Sequence, residues 1–331
     1  MGKALHRGHR PRSNKKKTAI AVIAALLAVV IAVGIVALTL GRHTGGDTSS
    51  TPAASETAPT TGKTLPKSFI DRNTASPYII LSDVTNNRVL YSKNADAKCY
   101  PASMTKLMTA IVAVEYAQPD TIVTVGNEIY MIDPQSSRAY LTVGTRLTME
   151  NLLQAMLLPS GNDAAYAVAV QVGRLIEGNE QLDRSAALAV FCKKMNEKAA
   201  ALGCNGTHFS NPDGIDADDH YTTAADMLRI AACALENDLI ATIVSTPSIK
   251  TTLLSGQTVN WKNSNRLIQE NNTYSYSGAT GLKTGTTDKA GYCLAASAQR
   301  EGKTCIAIVM GSKTESGRWE DASGLLDISF Q

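Results

Sequence analysis

Three short motifs contain the residues of this chain whose types and spacing are best suited to chemistry. They are Ser-x-x-Lys at 103–106, Ser-Gly-Asn at 160–162 and Lys-Thr-Gly at 283–285. A serine hydroxyl is a useful nucleophile only when a base takes its proton, and cations, amides and N–H groups can hold a substrate and a developing oxyanion. Taken together, the motifs predict one acyl-transfer site.

The first motif is predicted to lie at the start of a helix, because Pro101 precedes a largely apolar run that continues to Glu115. Residues three apart share a helix face, so Lys106 lies one turn from the Ser103 hydroxyl. A lysine acts as a base only if burial or a second cation lowers its pKa from about 10.4 towards neutrality. Taken alone, the motif is also typical of a helix start followed by a solvated face. Apolar neighbours favour burial here: Met104, Leu107, Met108 and Ile111.

The second motif is predicted to lie in a loop between two apolar helices, since Pro159 interrupts the helical pattern of 149–158, which resumes at 163–170. A hydroxyl and an amide on such a loop can relay a proton to a leaving amine and hold a substrate carbonyl. We expect Ser160 or Asn162 to cap the second helix as well.

The third motif is predicted to lie on an edge strand, followed by an antiparallel hairpin of the apolar runs 289–298 and 303–311. Such a strand offers a cation and hydroxyls to a substrate carboxylate, and Gly285 lets a substrate backbone approach closely. The ammonium of Lys283 also helps to keep Lys106 neutral.

The motifs occur in an order, and at intervals of 57 and 123 residues, that leaves room for a helical insertion. In these features residues 66–331 resemble the serine D-alanyl-D-alanine carboxypeptidases, which are low-molecular-mass penicillin-binding proteins. Four segments carry the resemblance further: 101–109, 207–215, 220–227 and 281–285.

The resemblance implies that Ser103 attacks the carbonyl between the two D-alanines of a peptidoglycan stem peptide, and that water then releases the shortened peptide. It implies Lys106 as the base, Ser160 as the proton relay and Asn162 as a positioning residue. The implied substrate-binding residues are Lys283, Thr284, Gly285 and Thr286, and the implied oxyanion-hole donors are the backbone N–H groups of Ser103 and Thr286. Neither a metal nor an organic cofactor is implied.

β-Lactam antibiotics mimic D-Ala-D-Ala and are expected to acylate the same serine. Gly161 stands where class A β-lactamases carry an aspartate, and no Glu-x-x-Leu-Asn segment follows it. That segment carries the carboxylate that activates the deacylating water in those enzymes. The chain is therefore predicted to be a target of β-lactams that turns them over slowly.

The chain departs from the family pattern at a few positions. Thr280 replaces an aspartate, and Arg266 lies near the place of a carboxylate-binding arginine without aligning cleanly, so no role is assigned to it. His208 and His220 lie in segments shared with the family and are expected to make structural hydrogen bonds rather than to bind a metal.

The expected fold is α+β, with an antiparallel sheet flanked by helices and a helical subdomain, as in β-lactamases and penicillin-binding transpeptidases, preceded by one transmembrane helix. A hairpin of 77–83 and 88–91 joins the strand of Lys283 and the two strands after it. The predicted helices begin at Ser103 and cover 149–240 and 319–330.

The N-terminus predicts membrane attachment. Residues 1–17 carry seven Lys or Arg and no acid, and the 23 uncharged residues of 18–40 are long enough to cross about 30 Å of hydrocarbon. This charge pattern indicates a single-pass protein with a cytoplasmic N-terminus and a catalytic domain on the cell-wall side. A retained anchor is favoured, although small residues near its end leave cleavage open. The Ser/Thr/Pro-rich segment 41–65 is predicted to be a disordered tether to the domain of 66–331.

The net charge of +3 depends on the eight Lys or Arg up to Arg42; beyond it, 24 basic residues face 29 acidic ones. Nothing in this balance indicates nucleic-acid binding. The six cysteines form no C-x-x-C pair and are expected to be apolar core residues. The hairpin register predicts that Cys293, opposite Met310, does not bond to Cys305, whereas a pairing of Cys192 with Cys204 stays open.

Two alternative functions stay open. One is a membrane-tethered β-lactam or peptidoglycan sensor with slow turnover, which the absence of a cytoplasmic signalling domain disfavours. The other is a DD-endopeptidase acting on crosslinks. The sequence stops at Gln331, so we expect the C-terminal β-rich domain and amphipathic anchor of many relatives to be absent, with the N-terminal span replacing that anchor.

Overall fold

The computed structural model describes residues 74–331. The basic tail, the anchor and the tether predicted for 1–17, 18–40 and 41–65 lie outside the described residues. Within 74–331, no helix combines the length and the apolar character needed to cross a membrane.

The strands and helices of this part follow the predicted order. In chain order they are β1 (Tyr78–Asp83), β2 (Arg88–Lys93), α1 (Lys106–Tyr116), β3 (Ile122–Thr124), β4 (Arg146–Thr148), α2 (Met149–Leu157), α3 (Asn162–Glu177), α4 (Arg184–Ala201), α5 (Ala224–Glu236), α6 (Asp238–Ser245), β5 (Ser248–Thr252), β6 (Thr258–Lys262), β7 (Ala279–Thr287), β8 (Gly291–Arg300), β9 (Lys303–Ser312) and α7 (Glu315–Ser329). Short 3-10 turns cover Ala102–Thr105, Asn127–Tyr130 and Arg266–Ile268.

The main sheet is antiparallel with the strand order β2-β1-β9-β8-β7, so β7 is an edge strand, as predicted. The β8–β9 hairpin places Arg300 opposite Lys303 and Ala298 opposite Cys305. Cys293, predicted opposite Met310, lies at a bulge: the regular pairing ends at Leu294 with Val309 and resumes at Tyr292 with Ser312, so Cys293 has no regular partner.

Both faces of this sheet are covered, which explains its continuous apolar runs. On β1, Ile79 and Leu81 pack on the face covered by Trp319 of α7, whereas Ile80 faces the helical side with Ile308 of β9. Successive strand residues point to opposite faces, so each apolar run supplies both cores.

Two small sheets, β3 with β4 and β5 with β6, were not predicted, because their strands have only three to five residues each. Helix α7 begins at Glu315, four residues before the predicted start at 319. Thr314 caps it by accepting a hydrogen bond from the N–H of Gly317, and the polar first turn obscures this start in the sequence.

All six cysteines are free thiols, so the pairing of Cys192 with Cys204 is not formed. Cys204, Cys293 and Cys305 are buried, and the other three are half-buried. This agrees with their predicted place as small apolar residues.

We predict that Gly173→Ala destabilises the fold, because a Cβ there would lie 2.1 Å from the carbonyl oxygen of Ala187, where α3 packs against α4. The expected loss is about 2–3 kcal/mol in the free energy of unfolding, measured by denaturant titration. Gly324→Ala is the control, since Gly324 lies in α7 with no atom within 4 Å of its Cβ position. That change should stabilise by about 0.5–1 kcal/mol, and equal effects of the two changes would contradict the packing argument.

Candidate active site

Ser103 lies in the 3-10 turn that leads directly into α1, which confirms the predicted helix start. Lys106 is the first residue of α1, and its Nζ lies 2.9 Å from Ser103 Oγ. The lysine side chain is fully buried, as its apolar neighbours Met104 and Leu107 predicted. The predicted nucleophile and the predicted base are therefore in hydrogen-bond contact.

The other two partners of Lys106 determine how its amine can act. Nζ donates to Asn162 Oδ1 at 2.7 Å and to the carbonyl oxygen of Asp213 at 2.8 Å. A carbonyl oxygen accepts hydrogen bonds and cannot donate them. These two acceptors therefore take both N–H groups of a neutral amine and leave its lone pair for the hydroxyl hydrogen of Ser103.

Burial lowers the pKa of Lys106 to about 8, and the negative charges of Asp213 and Asp163 act in the opposite direction. Desolvation penalises the ammonium form, whereas nearby carboxylates stabilise it. Burial therefore lowers the pKa of Lys106, as predicted from its apolar neighbours. The pKa of Lys283 is also lowered, well below its usual range, first by burial and then by the positive charge of Lys106.

Ser160 and Asn162 lie where α2 gives way to α3, in the predicted loop. The predicted capping by either side chain is wrong: Gly161 is the N-cap residue, and the cap receives no side-chain hydrogen bond. Asn162 is already helical with its Oδ1 turned to Lys106, and Ser160 has a φ of 63°, a left-handed conformation that is costly for a residue with a Cβ.

A second loop holds Ser160 and Asn162 in place. Ser137 Oγ donates to the carbonyl of Ser160 at 2.6 Å, and the N–H of Asn162 donates to the carbonyl of Ser137 at 2.9 Å. Buried Asp163 accepts from the N–H groups of Ala139 and Leu141 at 2.8 and 3.0 Å. The carboxylate of Asp163 therefore fixes the loop that lies over the motif.

The Lys-Thr-Gly motif lies on edge strand β7, with Lys283 buried beneath the surface. Lys283 Nζ donates to the carbonyl oxygen of Thr284 at 3.1 Å, and Thr284 Oγ1 lies 2.7 Å from Ser264 Oγ. A substrate carboxylate beside Lys283 would favour its charged form and offset the effect of burial.

Two glycines enclose the backbone that carries Ser103. A Cβ on Gly285 would lie 2.9 Å from the carbonyl oxygen of Pro101 and 3.2 Å from the nitrogen of Ser103. On the other side, a Cβ on Gly214 would lie 1.9 Å from the carbonyl oxygen of Ala102. Both positions require glycine, because β7 and the 211–215 loop approach the turn too closely for a side chain.

Arg318 is a site residue that sequence reasoning missed. It lies on α7, is 6 % exposed, and donates to Thr286 Oγ1 at 2.9 Å and to the carbonyl of Gly285 at 3.3 Å. Arg266, which sequence reasoning left unassigned, forms an ion pair with Glu315 at 2.9 Å, and Arg318 lies 3.3 Å from the same carboxylate oxygen. Arg318 thus places a cation beside the Lys-Thr-Gly strand, and no local pattern around it in the sequence indicates this.

His208 and His220 make hydrogen bonds within the protein. His220 is buried; its Nδ1 accepts from the N–H of Ser210, so Nε2 carries the hydrogen that it donates to Thr105 Oγ1 at 2.9 Å. Burial lowers the pKa of His220 to about 4, so the ring stays neutral. His208 Nδ1 contacts the carbonyl of Asp219.

A cavity of about 580 Å³ brings the three motifs together. The predicted site residues in its wall are Ser103, Ser160, Asn162, Thr284, Gly285 and Thr286. Lys106 and Lys283 lie buried behind this wall. Between residues 74 and 331 no group of three or more His, Cys, Asp or Glu side chains is arranged to hold a metal ion.

We predict that the acylation rate of Ser103 rises with pH and is half-maximal near pH 8, where Lys106 loses its proton. The measurement is the rate of adduct formation with a β-lactam between about pH 6 and pH 10. Lys106→Arg serves as the control, since a guanidinium stays charged over this range. A wild-type rate that is constant over the range would contradict the assignment of Lys106 as the base.

The D-alanyl-D-alanine carboxypeptidase family model, Peptidase_S11, matches residues 65–314. A D-alanyl-D-alanine carboxypeptidase of Streptomyces sp. strain K15 is 37% identical over 250 residues, which are 73% of this chain and 82% of that protein. The carboxypeptidase DacF of Bacillus subtilis is 33% identical over 254 residues, which are 76% of this chain and 61% of the relative.

Solved structures give the same result for the fold. The crystal structure of the Streptomyces K15 DD-transpeptidase matches with a TM-score of 0.71 at 34% identity, over 78% of this chain and 97% of that one. The carboxypeptidase DacD of Francisella tularensis matches with a TM-score of 0.67 at 26% identity, over 77% and 70% of the two chains. The expected penicillin-binding fold of sheet and helices is thereby confirmed, and the chain belongs to the D-alanyl-D-alanine carboxypeptidase family.

Proposed function

We propose that this chain is a serine D-Ala-D-Ala carboxypeptidase that removes the terminal D-alanine from peptidoglycan stem pentapeptides. The contacts of Lys106 carry this proposal. Its amine forms hydrogen bonds with Ser103, Asn162 and the carbonyl oxygen of Asp213, three residues that all line one cavity. The family and the names of the relatives support the same reaction.

Acylation begins when Lys106 takes the hydroxyl proton of Ser103 and the oxygen attacks the carbonyl carbon of the penultimate D-alanine. The backbone N–H groups of Ser103 and Thr286 stabilise the oxyanion, a contribution of about 3 kcal/mol per donor in related enzymes. The C–N bond then breaks, and the proton passes through Ser160 to the leaving D-alanine. An ester on Ser103 remains.

Lys283, Thr284 and Gly285 bind the peptide end on the open side of β7. The terminal carboxylate lies beside Lys283, and Arg318 adds a second cation to the same end through its contact with Thr286. Asn162 orients both Lys106 and the peptide. Water later cleaves the ester, its OH joining the acyl carbon and its remaining hydrogen restoring the Ser103 hydroxyl.

We predict that the full-length protein shortens a stem pentapeptide by one alanine and that Ser103→Ala abolishes this, with a loss of about a thousandfold or more. Mass spectrometry of the peptide is the measurement. The matched control is Ser136→Ala, which also removes a hydroxyl from the cavity wall but leaves the nucleophile intact. An unchanged peptide together with a stable penicillin adduct would favour the sensor alternative.

Transfer of the acyl group to an amine is a second candidate reaction, because the Streptomyces K15 neighbour is named a DD-transpeptidase. The same assay distinguishes the two reactions if a D-amino acid is added as acceptor. A product in which this residue replaces the terminal alanine indicates transpeptidation. The endopeptidase alternative is tested with a crosslinked dimer as substrate. Cleavage of the crosslink into two separate peptides would indicate endopeptidase activity.

β-Lactams acylate Ser103 in this proposal, and we predict that the adduct persists, because the chain lacks the deacylating glutamate segment of class A β-lactamases. Intact-protein mass after addition of benzylpenicillin measures the lifetime of the adduct, and nitrocefin absorbance measures turnover. Fast nitrocefin hydrolysis would contradict the prediction.

We further propose that the protein is held in the cell membrane by residues 18–40, with the basic tail in the cytoplasm and the catalytic domain on the cell-wall side. The charge pattern of the N-terminus supports this topology. N-terminal sequencing of the membrane-extracted protein should therefore identify the first residues of the chain as its N-terminus. A start near residue 41 would indicate a cleaved signal peptide instead.

A further inference from the structure

Asp213 has a buried carboxyl group that the mechanism above does not use. The residue is 1% exposed and lies on the 211–215 loop, in the wall of the catalytic cavity. Its Oδ1 accepts a long hydrogen bond of 3.3 Å from the N–H of Ile215. Its Oδ2 is buried and has no hydrogen-bond partner within the described part of the chain. An unpaired buried carboxylate oxygen is costly. Burial accordingly raises the pKa of the Asp213 carboxyl, whereas the positive charge of Lys106 lowers it, so the carboxyl and the amine titrate as a coupled pair.

The same residue binds Lys106 through its main chain. Lys106 Nζ donates to the carbonyl oxygen of Asp213 at 2.8 Å, so the amine lies beside the residue that carries the buried carboxyl. Gly214, against the carbonyl of Ala102, keeps the loop pressed against the turn of Ser103. The backbone of Asp213 therefore cannot move away from the amine without displacing the loop.

Asp213 and Lys106 are both buried, and charges act on each other more strongly in such a low-dielectric environment than in water. The titratable groups that face this pair come from each element packed around it. They are Asp163 and Tyr166 of α3, Cys192 of α4, Lys283 of β7, and His220 of the segment before α5. Asp163 differs from Asp213, because three N–H groups already hold its carboxylate.

We propose that Asp213 is a positioning residue that influences the protonation of Lys106: when its carboxyl is ionised, the negative charge stabilises the ammonium form and moves to higher pH the point at which Lys106 becomes a neutral base. The inference rests on the proposed function, in which Lys106 takes the proton of Ser103. The carboxylate itself does not contact the reacting atoms.

The direction of the effect follows from the charges. Burial alone disfavours the ammonium form, and a negative charge at Asp213 restores part of it, so removal of that charge lowers the pKa of Lys106 further below about 8. More of the lysine is then neutral at mildly acidic pH. The variant should therefore gain acylation activity at low pH relative to high pH, which the loss of a purely structural residue does not produce.

The experiment measures the second-order rate of adduct formation with nitrocefin from about pH 5.5 to pH 10, with the full-length protein. In Asp213→Asn, the midpoint of the rise should move to lower pH by about one to three units. Asp219→Asn is the matched control. It removes a carboxylate charge from an exposed position shortly after the 211–215 loop, and the pH midpoint of acylation should not change. A midpoint that stays, or a rate that falls equally at all pH values, overturns the inference.

A second measurement does not depend on whether the variant folds. The wild-type midpoint should be unchanged between about 0.1 M and 1 M salt, because a buried pair is screened little. A midpoint that moves with salt would assign the effect to exposed charges and overturn the inference. If wild type forms no adduct on Ser103 at any pH, the proposed function itself fails; if the adduct forms and the midpoint does not respond to Asp213→Asn, only the inference fails.

Discussion

The site depends on the removal of one lysine amine from water. Lys106 Nζ is fully buried, and its three partners come from three separate parts of the chain: the turn at Ser103, the start of α3 at Asn162 and the loop at Asp213. Each of these parts must be in place for the amine to remain satisfied, since a buried nitrogen without partners is costly. Burial also lowers the pKa of the amine to about 8. The packing that requires these contacts therefore also makes Lys106 a better base near neutral pH.

The parts of the site that depend on local geometry could be predicted from the sequence. The contact of Ser103 with Lys106 follows from helix periodicity, and the edge position of the Lys-Thr-Gly strand follows from the hairpin after it. The sheet could be predicted because its strands are long apolar runs. The roles implied by the family resemblance remain predictions, although the structure brings Ser103, Lys106, Ser160, Asn162 and residues 283–286 to one cavity and its base.

The remaining features depend on contacts between distant segments. Arg318 reaches Thr286 from 32 positions further along the chain, and Asp213 reaches Lys106 from 107 positions away, so no local pattern marks either one. The capping prediction failed for a related reason: the Asn162 side chain is used by Lys106, and Ser160 has a left-handed backbone. The bulge at Cys293 was not predicted, because a bulge at one end of a hairpin leaves no clear signal in a run of apolar residues.

The strand order has a consequence for the order of events during synthesis. β1 is made early but pairs with β9, so the five-stranded sheet cannot close until β9 has been synthesised. A nascent chain that ends at Thr287 already contains all three motifs, yet it lacks β8, β9 and the Arg318 helix. Such long-range pairing folds slowly. The Lys-Thr-Gly strand therefore gains its place in the complete sheet beside Ser103 only after β8 and β9 have been synthesised.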